Sequence, residues 1–153
     1  MPVSRKLLCI VYAFVGLVAL VVCWANNIQL FADTGFVDAN VGFWKKTFVN
    51  PASRSITVDI LCLGLAAIIW MLLEARRLSM RGAWLWIPFG LFVVMGAAFP
   101  WFLIHRELVL AKRNGSATVD TLNVADIVGV LLIAIPIFTY AVFALMNASS
   151  GVN

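Results

Sequence analysis

Four stretches of this chain are too long and too apolar for the surface of a protein dissolved in water. Residues 7–24, 84–104 and 127–146 carry no charged side chain, and 56–73 carries only Asp59. Each stretch holds 18 to 21 residues. An α-helix rises ~1.5 Å per residue, so about 20 residues cross the roughly 30 Å hydrocarbon layer of a bilayer. Within such a segment only a helix pairs every backbone N–H and C=O without water. The expected fold is therefore all-α: a polytopic membrane protein with four transmembrane helices at about 6–25, 51–78, 84–104 and 124–146.

Composition supports this reading. The chain is 63% hydrophobic and 12% charged, with a mean hydropathy of +1.02, whereas soluble domains carry about 25% charged residues. Too little sequence lies outside the four stretches for a separate soluble domain, so residues 1–153 read as one membrane domain. The net charge is +4, but the basic residues gather at helix ends, where lipid headgroups and topology signals place them. A nucleic-acid surface needs a continuous basic face, and none is visible. The amino-terminal stretch resembles a secretory signal, with cleavage after Ala25 as the alternative, but Trp24 and the long apolar run favour a retained anchor. Cys9 and Cys23 lie 14 residues apart on one helix, roughly 21 Å along its axis, too far to bridge. With Cys62 they read as inert thiols.

Between the first two helices, residues 36–49 mix Phe36, Phe43, Trp44 and Phe48 with Lys45 and Lys46. Aromatics beside lysines suit a short amphipathic helix lying along the membrane surface; a loop folded over the bundle end is the alternative. Turns are expected at Asp33-Thr34-Gly35 and Asn114-Gly115-Ser116. Asn50 followed by Pro51 is a helix-start signal, a capping side chain before a proline whose missing N–H costs nothing there. Pro100 should kink the third helix near residues 96–98, and Pro136 the fourth. Residues 105–126 read as a polar connection and 147–153 as a short polar tail. Gly64, Ala66 and Ala67, like Gly96, Ala97 and Ala98, allow helices to approach closely.

Orientation follows from basic residues. Arg5, Lys6, Arg76, Arg77 and Arg81 fall on one side, and Lys45, Lys46, Arg54, Arg106, Lys112 and Arg113 on the other. The raw count does not decide. The arginine-dense turn after the second helix, and Arg5-Lys6 beside the first helix to insert, place both termini in the cytoplasm.

Asp59 is the residue with the clearest functional promise, because an intramembrane carboxylate can relay a proton, hold an ion or pair with a cation on another helix. A structural polar tie is the competing reading, since Asp59 lies shallowly near Arg54, Ser55 and Thr57. Glu74, Arg76, Arg77 and Arg81 form the densest charge cluster, and Arg76, Arg77 and Arg81, with Lys45 and Lys46, are candidate contacts for anionic headgroups. His105-Arg106-Glu107 closes the third helix without the makings of a metal site or catalytic dyad. No nucleophile elbow or phosphate loop is present. No catalytic residue, metal or cofactor is therefore expected.

The run Asn50-Pro51-Ala52-Ser53-Arg54, then Asp59 entering an apolar stretch, then Glu74-Ala75-Arg76-Arg77-Leu78-Ser79-Met80 resembles DUF2834, a family of small bacterial membrane proteins of unknown function. Ala98-Phe99-Pro100-Trp101-Phe102-Leu103 is similar to that family's helix end. The resemblance covers about residues 7–108, with the helix in 109–146 as an addition. It implies a bacterial inner membrane and marks Asn50, Pro51, Asp59, Glu74 and Arg77, but supplies no activity. The expected role is a non-enzymatic accessory or structural subunit of a larger membrane assembly, such as a lipid or small-molecule transporter. The alternative is a small homo-oligomeric transporter or channel that uses Asp59 for an ion or proton. Membrane lipids and a membrane-protein partner, or further copies, are the expected partners. An enzyme acting on a lipid would need clustered histidines or carboxylates, which are missing.

Overall fold

A computed structural model describes residues 3–32, 35–113 and 124–150, and every regular element among them is helical. The expected turn residues Asp33 and Thr34, and Asn114-Gly115-Ser116, lie outside the described residues. Helix α1 spans Val3–Ala32, longer at both ends than the expected 6–25. Asn26 does not end it, because its side-chain amide donates to the Val22 carbonyl at 2.8 Å, inside the helix it would otherwise disrupt. Helix α2 spans Phe36–Lys46, with Asp38 in its first turn and Lys45 and Lys46 in its last. Those charges complement the helix dipole at both ends. Helix α3 runs Pro51–Arg77, and the Asn50 side chain accepts from the Ser53 N–H at 2.8 Å, as the sequence signal predicts.

The segment after α3 departs from expectation. It opens with a single 3-10 turn, Ala83–Leu85, and continues as α4, Trp86–Phe89. A π-helical turn, Gly90–Val94, leads into α5, Met95–Arg113. In a straight helix Trp86 and His105, 19 residues apart, would stand ~28 Å from each other. Instead the Trp86 indole N–H donates to His105 Nδ1 at 3.2 Å. The Phe89 and Trp101 rings stack at 5.7 Å. A Cβ on Gly90 would lie 3.1 Å from that of Ala98 and 2.6 Å from the Met95 sulfur. The segment is therefore a helical hairpin that reverses at the π turn, not one straight transmembrane helix over 84–104.

Two further corrections belong to the same region. The irregularity sits at Gly90–Val94 rather than at 96–98, and α5 stays helical through Pro100. Gly90 supplies the reason, since any side chain there would keep the two arms apart, and π turns are where helices commonly bend. The expected polar connection from 105 is helical to Arg113, because Val109 and Leu110 pack on the core.

The reversal sets the register of the bundle. Helix α5 is antiparallel to α1: Arg5 meets Glu107, Trp101 lies against Gly16, and Gly96 lies against Ala19. It is parallel to α3, with Trp70 within 5.7 Å of Phe99 and 5.9 Å of Phe102, and Glu74 against Arg106. Met71, Leu78, Met80, Ala83 and Phe102 form the buried core, all toward one end. Ala97 and Ala98 are fully buried, as expected of small residues at a close crossing, whereas a side chain on Gly64 would meet nothing within 4 Å. Above Met71, α3 buries no residue. Helix α6, Val124–Ser150, extends past the expected end at 146 and packs on α1, where the Phe14 and Phe138 rings lie 5.5 Å apart.

Three helical stretches, Arg5–Ile28, Pro51–Arg77 and Ala83–Lys112, are long and apolar enough to cross a membrane, and Leu131–Met146 is a shorter apolar helix. The third qualifies on length and composition while being folded on itself. The outward faces carry Leu7, Phe14, Ile60, Leu63, Phe92 and Phe143, the inside-out pattern of a protein surrounded by lipid.

Candidate functional site

The chain turns abruptly after α3. Met80 N–H donates to the Ala75 carbonyl at 2.9 Å and Ser79 N–H to that of Arg76 at 3.1 Å, a Schellman cap with Ser79 in the left-handed region at φ 45°. This cap folds Leu78 and Met80 inward and leaves Glu74, one turn earlier, facing α5.

Glu74 Oε1 accepts from Arg77 Nη2 at 2.6 Å and from Arg106 Nε at 2.7 Å, and its Oε2 accepts from Arg77 Nε at 2.7 Å. Arg106 Nη1 in turn donates to Glu107 Oε1 at 2.7 Å. The other Glu107 oxygen lies 3.1 Å from Arg5 Nε, an ion pair without hydrogen-bond alignment. Five side chains on α1, α3 and α5 thus form one ionic chain, with three cations and two anions. The Arg5, Glu74 and Glu107 side chains are only 8%, 7% and 7% exposed, so their charges persist because they are paired. His105, one residue away, is held by Trp86 as a hairpin strut. The cluster clamps three helices together at one end, and it presents no nucleophile.

Of the residues singled out by sequence, Glu74 and Arg77 join this cluster. Arg76 and Arg81 are exposed nearby and outside it. Asn50 and Pro51 start α3, and Arg54 donates to the Phe48 carbonyl at 2.9 Å. Lys45 and Lys46 sit in the last turn of α2, at the opposite end. Asp59 is exposed on α3 and has no partner among the described residues. Cys9, Cys23 and Cys62 are free thiols. Among the described residues no three His, Cys, Asp or Glu side chains converge as metal ligands.

Sequence reasoning missed Arg5, Arg106 and Glu107 as one unit with Glu74. A signal existed: Glu74 and Glu107 are the chain's only glutamates, and each lies within two residues of an arginine at the end of an apolar stretch. Their meeting depends on the hairpin, which spacing does not reveal. Residues 11–108 match the model of a family described as protein of unknown function DUF2834. No curated protein and no solved structure matches the chain.

Proposed function

The chain belongs to the DUF2834 family, and from that premise we propose that it is a non-enzymatic accessory or structural subunit of a larger assembly in a bacterial inner membrane, such as a lipid or small-molecule transporter. Asp59 carries the proposal. It stands eight residues past Pro51, ~12 Å along the helix, exposed and, among the described residues, unpaired in an apolar run. At this shallow depth an aspartate costs less than the about 2.5–3.5 kcal/mol it costs at the centre of a membrane helix, but ionisable residues within such helices normally face other protein. Asp59 also lies in a file with Ser55, Cys62 and Ala66, all exposed. Small side chains permit close approach, and polar ones bind helices across a membrane interface.

Purification of the tagged protein in mild detergent tests this reading. Wild type should bring down a membrane-protein partner, and Asp59→Leu should release it while keeping its helical content. Recovery of wild type only as a free monomer refutes it. The same file favours the second reading, a homo-oligomeric channel or transporter, because Cys62 would approach its counterpart across a twofold axis. Oxidative Cys62 cross-linking together with loss of flux in Asp59→Asn supports that alternative; absence of both removes it.

The membrane arrangement is part of the proposal. Helices α1, α3 and α6 cross, α2 lies along the interface, and the 83–113 hairpin enters and leaves at the arginine-rich cytoplasmic end. Placing both termini in the cytoplasm assumes four crossings. Three crossings and a hairpin put the amino terminus inside and the carboxyl terminus outside. Alkaline phosphatase fused after residue 153 should be active; an inactive fusion with a fluorescent GFP counterpart overturns the arrangement.

A further inference from the structure

At the end opposite the ionic clamp, α1, α2 and the first two turns of α3 border an open cleft of about 400 Å³. Its walls come from Asn26 and Asn27, from Phe43 and Lys46, and from Ser53 and Ile56. Asn26 and Asn27 are near the end of the apolar stretch Arg5–Ile28, and Ser53 and Ile56 are near the start of Pro51–Arg77. The cleft therefore opens at headgroup depth.

Its chemistry is one-sided, since one cation lines it and no carboxylate does. Several polar groups are already engaged: the Thr47 and Thr57 hydroxyls donate to the Trp44 and Ser53 carbonyls, and the Asn26 amide to Val22. Among the described residues, the Lys46 ammonium, the Asn27 amide and the Ser53 hydroxyl have no such partner. These three groups sit beside the start of α3, whose dipole adds positive potential. Phe43 and Ile56 give the same cleft an apolar wall.

We propose that this cleft binds a phosphate group borne by an amphipathic molecule, with Lys46, Asn27 and Ser53 on the phosphate and Phe43 and Ile56 against the apolar part. An anionic phospholipid headgroup meets that description at this depth. Free phosphate shares the charge but not the apolar contact.

Native mass spectrometry of the full-length protein in mild detergent, with phosphatidylglycerol or phosphatidylcholine added, tests the site. Wild type should retain phosphatidylglycerol preferentially. Lys46→Gln should lower retention about fivefold, the worth of one lysine near an anionic surface. Lys45→Gln is the control, because Lys45 is exposed beside the cleft without lining it, and it should change retention less than twofold. Ser53→Trp, which fills the cleft, should abolish retention while circular dichroism stays unchanged. Inorganic phosphate at millimolar concentration bound by wild type and not by Lys46→Gln, with no lipid retained, keeps the phosphate site and assigns it a soluble ligand. Equal losses from the two lysine variants, or no preference for phosphatidylglycerol and no phosphate binding, overturn the proposal.

Discussion

Replacing Glu107 with glutamine asks directly whether the ionic chain holds the helices together. The substitution keeps the shape of the side chain and removes a charge that faces Arg5 at 3.1 Å and Arg106 at 2.7 Å. Arg106 still has Glu74. Arg5, with a side chain 8% exposed, loses its only described counter-ion. At an effective dielectric near 20, a unit pair about 4 Å apart is worth ~4 kcal/mol, and removing one partner of a buried pair typically costs about 3–5 kcal/mol. Arg77→Gln provides the contrast, because Arg77 is 65% exposed and Glu74 keeps Arg106, so losing its charge-assisted bonds should cost about 1.5–3 kcal/mol. For a chain of this size each kcal/mol moves the midpoint about 2–4 °C. Thermal unfolding in detergent, followed by tryptophan fluorescence, should show a fall of roughly 6–20 °C for Glu107→Gln and a smaller one for Arg77→Gln. Arg5→Met combined with Glu107→Leu should recover much of the loss, since an apolar pair leaves no stranded charge. Equal small shifts for both single variants would refute the reasoning.

Three further outcomes follow from packing and capping. Gly16→Ala drives a methyl into the Trp101 indole and should cost about 1–3 kcal/mol, whereas Gly64→Ala, with open space around it, should be neutral or stabilise α3 by up to ~1 kcal/mol; the same melting assay compares them. Asn50→Ala removes the cap on Ser53 and should cost about 1 kcal/mol, while Asn50→Asp should retain most of it. Cysteines placed at Trp86 and His105, in a variant lacking Cys9, Cys23 and Cys62, should be joined by a short bismaleimide linker, seen as one added linker mass; two ends of a straight helix, ~28 Å apart, could not be bridged so.

The helical class, the start of α3 and the burial of residues 97 and 98 were legible because each depends on local composition. Asn50-Pro51 is read within one turn, and an apolar stretch of 20 residues has few solutions. The α1 extension past Ala25 was not legible, because Asn26 can break a helix or bond back into it, and only the choice made at the Val22 carbonyl decides. The hairpin escaped for a related reason. Prolines at 88 and 100 signal irregularity, but the reversal rests on Gly90 meeting Met95 and Ala98, a contact that hydropathy does not encode. With the hairpin hidden, residues 105–113 looked like a polar connection, and Glu107 only like part of a helix end. Asp59 was found by charge alone; that its face would be left uncovered was not.

Among the described residues α3 buries side chains only in its last two turns, at Met71 and Glu74, which makes it a cantilever with a lightly held far end. Its 27 residues measure ~40 Å, so rotating the rod by about 5° at the Schellman cap swings its free tip by about 3.5 Å. From a typical membrane tilt of about 20°, that swing changes the height the rod spans by only ~1 Å, so leaning absorbs small mismatches in bilayer thickness while the charged hinge stays shut.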